Sequence, residues 1–163
     1  MLLSIGIIED GLNENVLYKN YKDNENPFVL ERCELYCNNA VLNCGVVYVA
    51  RASELTNAIN IQEFSALVCI GMPPEIYTKP PLQLLVLDEG ANPSMLSNEI
   101  NRIFFEYSTL EQNLQDAVNK GRSIQYMVDL ISPYFRGNEI QVGDANFKLI
   151  AVSNKTNHLC EIS

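Results

Sequence analysis

Three short runs constrain the fold more than anything else in the chain: CGVVYVA at 44–50, SALVCIG at 65–71 and LQLLVLD at 82–88. Each is of strand length, and apolar at successive rather than alternate positions. Strand side chains alternate between two faces, so such a run has to be covered on both, as in a mostly parallel sheet. The class predicted is α/β, a small, mostly parallel sheet with flanking helices. RASELTNAINIQEF, between the first two runs, reads as a helix capped by Ser53 with Leu55, Ala58 and Ile59 turned inward, completing a βαβ unit. MPPEIYTKPP, between the second and third, carries four prolines and leaves room for one helical turn around Glu75–Tyr77.

Upstream, Ser4 can cap a short helix with Ile5, Ile8 and Leu12 on one face and Gly11 near its end. NVLYKNYKDNENPF reads as a strand or hairpin, and FVLERCELY as a strand or short helix. Downstream, Asn92 and Pro93 open a long helix that Gly121 closes. RSIQYMVDLISP is a shorter helix capped by Ser123 and ended by Pro133. NEIQVGDANFKLIAVSN reads as two strands joined at GDAN. The predicted organisation is an α/β domain at 1–95, a connecting helix at 96–121, a short helix at 122–136 and a hairpin at 137–163.

The long helix carries apolar residues at Leu96, Ile100, Ile103, Tyr107, Leu110, Leu114 and Ala117, alternately four and three residues apart. That is the a/d spacing of a coiled-coil seam. Two features oppose a parallel seam: Tyr107 stands at an a position, and Glu106 would face Glu111 of a partner. The resulting expectation is a helix packed on its own domain at the start and open to a second chain towards Tyr107, Leu110, Leu114 and Ala117.

Composition narrows the chemistry. Eleven Lys and Arg stand against 20 Asp and Glu, a net charge of −9, and DNA affinity is dominated by phosphate neutralisation, so no nucleic-acid contact is expected. No apolar run reaches membrane-spanning length, and the start lacks the pattern of a signal peptide. A cytoplasmic chain with reduced thiols is expected. Cys33, Cys37, Cys44 and His158 match no zinc spacing, and Cys69 and Cys160 read as further free thiols, so no metal or cofactor is expected. Neither GxxxxGK nor GxGxxG occurs, and no catalytic residue is assigned. The acids of IIED, DNENP and LDEG fall at turns and read as solvated. The most site-like positions are Arg51 and Ser53, with Gly71 on the same edge. They follow buried strands at the carboxyl end, where open α/β sheets bind ligands.

The order VVYVARASEL, FSALVCIGMPPEI, then LQLLVLDEGANPSMLSNEINRIFFEYSTLEQNLQDAVNKGRSIQYMVDLISPYFRGNEIQVGDANFKLIAVSN resembles the N-terminal half of PucR-type (purine-catabolism-regulator-like) bacterial transcription factors. The matching positions are Ile103, Phe104, Tyr107, Leu110, Glu111, Leu114, Ala117, Gly121, Ser123, Ile124, Gln125, Val128, Asp129 and Ile131. Glu139 stands where that family usually has Pro. The likeness implies a sensory region, a signalling helix and the opening of a GAF- or PAS-like domain, cut short before the helix-turn-helix. It further implies a homodimer that responds to a small-molecule effector. The arrangement of 44–88 is also similar, at the level of fold, to the small N-terminal domain of Mur ligases. Two other readings compete: an interaction module without a ligand, and a small carboxylate-dependent enzyme.

Overall fold

The computed structural model describes residues 1–23, 25–135 and 138–153. The chain is mixed α/β, and it divides into two compact units, Met1–Glu106 and Tyr107–Ser163. The division falls inside the long helix rather than at its start. Among the described residues, no helix is long and apolar enough to cross a membrane.

The first unit begins with α1 (Ile5–Gly11), capped as expected by Ser4, whose Oγ accepts from the Ile7 N–H at 3.3 Å. The strands are β1 (Val16–Lys19), β2 (Arg32–Leu35), β3 (Val41–Leu42), β4 (Val46–Arg51), β5 (Asn60–Ile61), β6 (Ala66–Ile70) and β7 (Gln83–Leu87). The central sheet has the order β1-β7-β6-β4-β2. β2, β4, β6 and β7 are parallel, and β1 joins the β7 edge antiparallel. The three apolar runs are β4, β6 and β7. Asn20 extends the edge: its Oδ1 accepts from the Leu84 N–H at 2.8 Å, and its Nδ2 donates to the Leu82 carbonyl at 2.8 Å.

One face of the sheet carries Tyr48, Ala50, Leu67, Cys69, Leu84 and Val86. Its cover corrects the βαβ expectation. After one 3-10 turn at Ala52–Glu54 the chain stays extended, and β5 pairs in parallel with β3. Ser53 is exposed and heads no α-helix. Thr56, Asn57, Ile59, Asn60 and Ile61 are poor helix formers. Ile59 and Ile61 instead pack on the core two residues apart, the strand period, while Ala58 is exposed. Tyrosines hold these irregular connections to the sheet. The buried Tyr77 hydroxyl donates to the Thr56 carbonyl at 2.6 Å, and the Tyr48 hydroxyl accepts from the Asn43 N–H at 3.0 Å.

The opposite face carries Val47, Val49, Val68, Leu85 and Leu87, and here the cover is helical. α1 supplies the buried Ile5 and Ile8. The helix α2 (Pro93–Asn119) supplies the buried Leu96, Ile100 and Ile103. Ser97 Oγ of α2 lies 3.8 Å from Cys33 Sγ of β2.

α2 starts and stops where expected. Asn92 Oδ1 accepts from the Met95 N–H at 3.1 Å. At the far end Gly121 has φ +63°, with Gly121 N–H bonded to the Val118 carbonyl at 3.0 Å and Arg122 N–H to the Ala117 carbonyl at 2.9 Å. That pair of bonds is a Schellman stop, which needs a left-handed residue.

The second unit contains the last turns of α2, then α3 (Ile124–Ile131) capped by Ser123, a 3-10 turn at Ser132–Phe135, and an antiparallel hairpin of β8 (Gln141–Gly143) and β9 (Leu149–Val152). A hairpin alone is marginal in water. Here the Gln125 side chain of α3 clips its edge: Nε2 donates to the Val152 carbonyl at 2.5 Å and Oε1 accepts from the Val152 N–H at 3.1 Å. Tyr107 meets Tyr134 edge-on, with ring centroids 5.2 Å apart.

A Cβ at Gly121 would meet nothing within 4 Å, so replacing it costs only backbone strain. Gly121→Ala is expected to destabilise the chain by about 1 kcal/mol and Gly121→Asn by less, measured by denaturant unfolding. An unchanged midpoint for the alanine variant would show that the Schellman stop is unimportant.

Candidate functional site

Arg51 ends β4 opposite Ile70 of β6, Gly71 follows β6, and Ser53 lies in the 3-10 turn after Arg51. A Cβ built on Gly71 would lie 3.6 Å from Ala52 Cβ and 3.4 Å from Glu89 Oε1, and the φ of Gly71 is +83°. The Arg51 backbone N–H donates to Glu54 Oε2 at 3.4 Å. The strand order β7-β6-β4-β2 never reverses, however. A switch-point crevice forms where neighbouring connections leave in opposite directions, and the parallel strands here supply no such place.

The expected seam on α2 is largely internal. Leu110 and Ala117 are only 8% and 2% exposed, and Tyr107 and Leu114 are half-buried. Little of that stripe is open to a second chain. The exposed apolar side chains of the second unit lie elsewhere, and include Val118, Ile124, Tyr126, Phe135, Leu149, Ile150 and, at 98% exposure, Phe147.

A polar cleft of about 460 Å³ opens instead beside α1, lined by Ser4, Gly6, Ile7, Glu9, Asp10, Lys19, Asp23, Asn26 and Phe28. Residues of two acidic stretches that read as solvated turns, Glu9 and Asp10 of IIED and Asp23 and Asn26 of DNENP, line it together with Lys19. Lys19 Nζ lies 3.1 Å from Glu9 Oε1 and 2.5 Å from Asp23 Oδ1. The Tyr21 hydroxyl donates to Glu9 Oε2 at 2.7 Å. Asp23, then Glu9, hold the Lys19 ammonium firmly protonated. Burial first, and Glu9 second, push the Tyr21 phenol well above its usual range, so it stays a donor. The side-chain oxygen of Asn26 is sealed from solvent and accepts no hydrogen bond.

The cleft lies close to α2 through α1. A Cβ placed on Gly11 would come within 2.6 Å of Ile103 Cδ1, so the last residue of α1 sits directly on α2. A second, more apolar cavity of about 490 Å³ is lined by Ile59, Ile61, Glu75, Ile76, Lys79, Pro80 and Pro81.

Metal chemistry has no assembled donor set: among the described residues no three His, Cys, Asp or Glu side chains are grouped to hold an ion. His158 and Cys160 lie outside the described residues. Burial pushes the Cys69 thiol up to about 12 and the Cys33 thiol up to about 11, the latter eased by the Ser97 hydroxyl. Sequence reasoning missed the cleft because its parts are separated by the whole of β1. The one available signal was Lys19 and Tyr21 standing two apart between acidic turns, at the end of the edge strand β1.

No family model matches the chain, and neither a curated protein nor a solved structure matches it.

A thiol reagent at neutral pH is expected to label the exposed Cys37 and Cys44 and to spare Cys33 and Cys69 until the chain unfolds. The two spared thiols hold their protons above the value of 9.0 at which an unperturbed thiol ionises. Their contribution to stability is therefore full below pH 9 and is lost as pH rises through about 11 and 12. Labelling of Cys69 as fast as Cys37 would contradict the two-sided burial of β6.

Proposed function

We propose that the chain is the effector-sensing and dimerisation region of a PucR-type bacterial transcriptional regulator. The observation that carries this reading is that α2 belongs to both compact units: its first turns cover the sheet, and its last turns form part of the second unit. A helix shared in this way can pass a change in one unit to the other, provided a ligand distinguishes two arrangements. The cleft beside α1 supplies a place for the effector, and the contact of Gly11 with Ile103 supplies the route from α1 to α2. The hairpin β8–β9 corresponds to the opening strands of a GAF- or PAS-like domain.

In this reading the chain acts in the cytoplasm, contacts no DNA itself, carries no catalytic residue and needs no cofactor. The net charge of −9 supports the absence of DNA contact. The dimer contact falls on the exposed apolar residues of the second unit, Phe147 and Leu149 foremost, because Leu110 and Ala117 are enclosed. Those same residues favour a second reading, an interaction module without a ligand.

Sedimentation of the 163-residue chain, with a thermal-shift screen of purines, nucleotides, small acids and amines, separates the two. The sensor reading expects a dimer, dissociated by Phe147→Asp, and at least one compound that raises Tm. A monomer at every attainable concentration removes the dimerisation half. A dimer that no compound stabilises favours the interaction module.

A further inference from the structure

We propose that the apolar cavity beside β5 is a docking site for an extended peptide of a partner protein, which adds as a strand to β5 and carries apolar side chains at alternate positions. The peptide groups of β5 point to such an occupant. Asn60 N–H donates to the Ala40 carbonyl and Gln62 N–H to the Leu42 carbonyl, each at 3.0 Å. Both bonds run to the β3 side. Successive residues of a strand turn their peptide groups to opposite sides, so the N–H and C=O of Ile61 face away from β3. The small sheet has the order β3-β5, and among the described residues no strand pairs with β5 on that side. An open edge of this kind is a template for a further strand.

The cavity lies along the same edge. Ile59 and Ile61 line it together with Ile76, Pro80 and Pro81, and no residue of β3 is among its lining side chains. A strand added to β5 runs about 4.8 Å from it. Residues of that strand opposite Ile61 and Ile59 place their side chains on the same face as those isoleucines, against the apolar wall. The pattern required is apolar, any residue, apolar. Pro80 and Pro81 present ring carbons to it and bring no N–H. The nearby charges select no charged ligand, because the exposed Glu75 and Lys79 pair with each other at 2.7 Å.

Two other occupants answer less of this geometry. A compact apolar molecule fills the cavity but leaves the donor and acceptor of Ile61 without partners. A second copy has to offer a sheet edge, and both edges of the five-stranded sheet are guarded. β1 is interrupted by a bulge between Val16 and Tyr18, and β2 carries Arg32 paired with Glu31 and Glu34. Bulges and charges keep edges from pairing. β5 has neither: Asn60 and Ile61 are uncharged and stand in unbroken register with Val41 and Leu42. Docking here does not depend on an effector in the cleft beside α1.

The test is amide NMR of the isotope-labelled full chain, titrated with a blocked pentapeptide of threonine that has valine at its second and fourth positions. A saturable shift of the Ile61 amide is expected. The same peptide with every amide N-methylated keeps the side chains but loses its donors, and should bind about tenfold more weakly. Ile76→Asp, at a side chain 41% exposed on the cavity wall, should weaken binding by a similar factor, whereas Met95→Asp, an exposed position on α2 outside the cavity, should leave it unchanged. If Ile76→Asp loses the dispersed spectrum of a folded chain, the N-methylated peptide decides. An Ile61 amide that no peptide shifts overturns the proposal, as does equal binding of the N-methylated peptide. Equal binding of pentanol makes the occupant a small apolar molecule and overturns it too. So does a dimer of the unliganded chain that Ile76→Asp dissociates, because the occupant is then a second copy.

Discussion

Two-sided burial of β4, β6 and β7 is the constraint from which the rest of the first unit follows. Val46 to Ala50, Ala66 to Ile70 and Leu84 to Leu87 are all essentially shielded from solvent. Each such aliphatic side chain is worth about 1.5–3 kcal/mol when fully buried, so neither face can be left open. The chain covers the two faces by different means. α1 and the first turns of α2 cover one, and irregular connections anchored by Tyr48 and Tyr77 cover the other. On the helical face, Gly11 lets α1 sit directly on Ile103 of α2.

The parts of the fold that depend on local chemistry were legible. Continuous apolar runs became strands, and Ser4, Asn92, Ser123 and Gly121 cap or close helices through bonds to their own neighbours. The helix expected after Ser53 failed for a reason also present locally. Ile59 and Ile61 obey a period of two, and their packing on the core outweighed a plausible cap. The heptad on α2 was real as a pattern, yet its partner is largely the chain itself. Periodicity reveals a buried stripe but says nothing about which molecule buries it.

The cleft was not legible, since Glu9, Lys19, Tyr21 and Asp23 meet only once β1 pairs antiparallel with β7 and α1 packs beneath the sheet. Acids at turns are usually solvated, and only the register of an edge strand turns these into a wall. Arg51 ends β4 and Gly71 follows β6 beside it, but the order of these parallel strands contains no switch point. Reading the edge of a sheet as a site therefore requires the strand order, which the apolar runs alone do not supply.

The account stands or falls on whether α1 couples the cleft to α2. Backbone hydrogen exchange, followed with and without a saturating compound that raises Tm in the thermal-shift screen, tests this most directly. The predicted result is slower exchange in α1 and in the turn of α2 around Ile103, with β6 unchanged. Slower exchange confined to α1, with the amides around Ile103 unaltered, would contradict it.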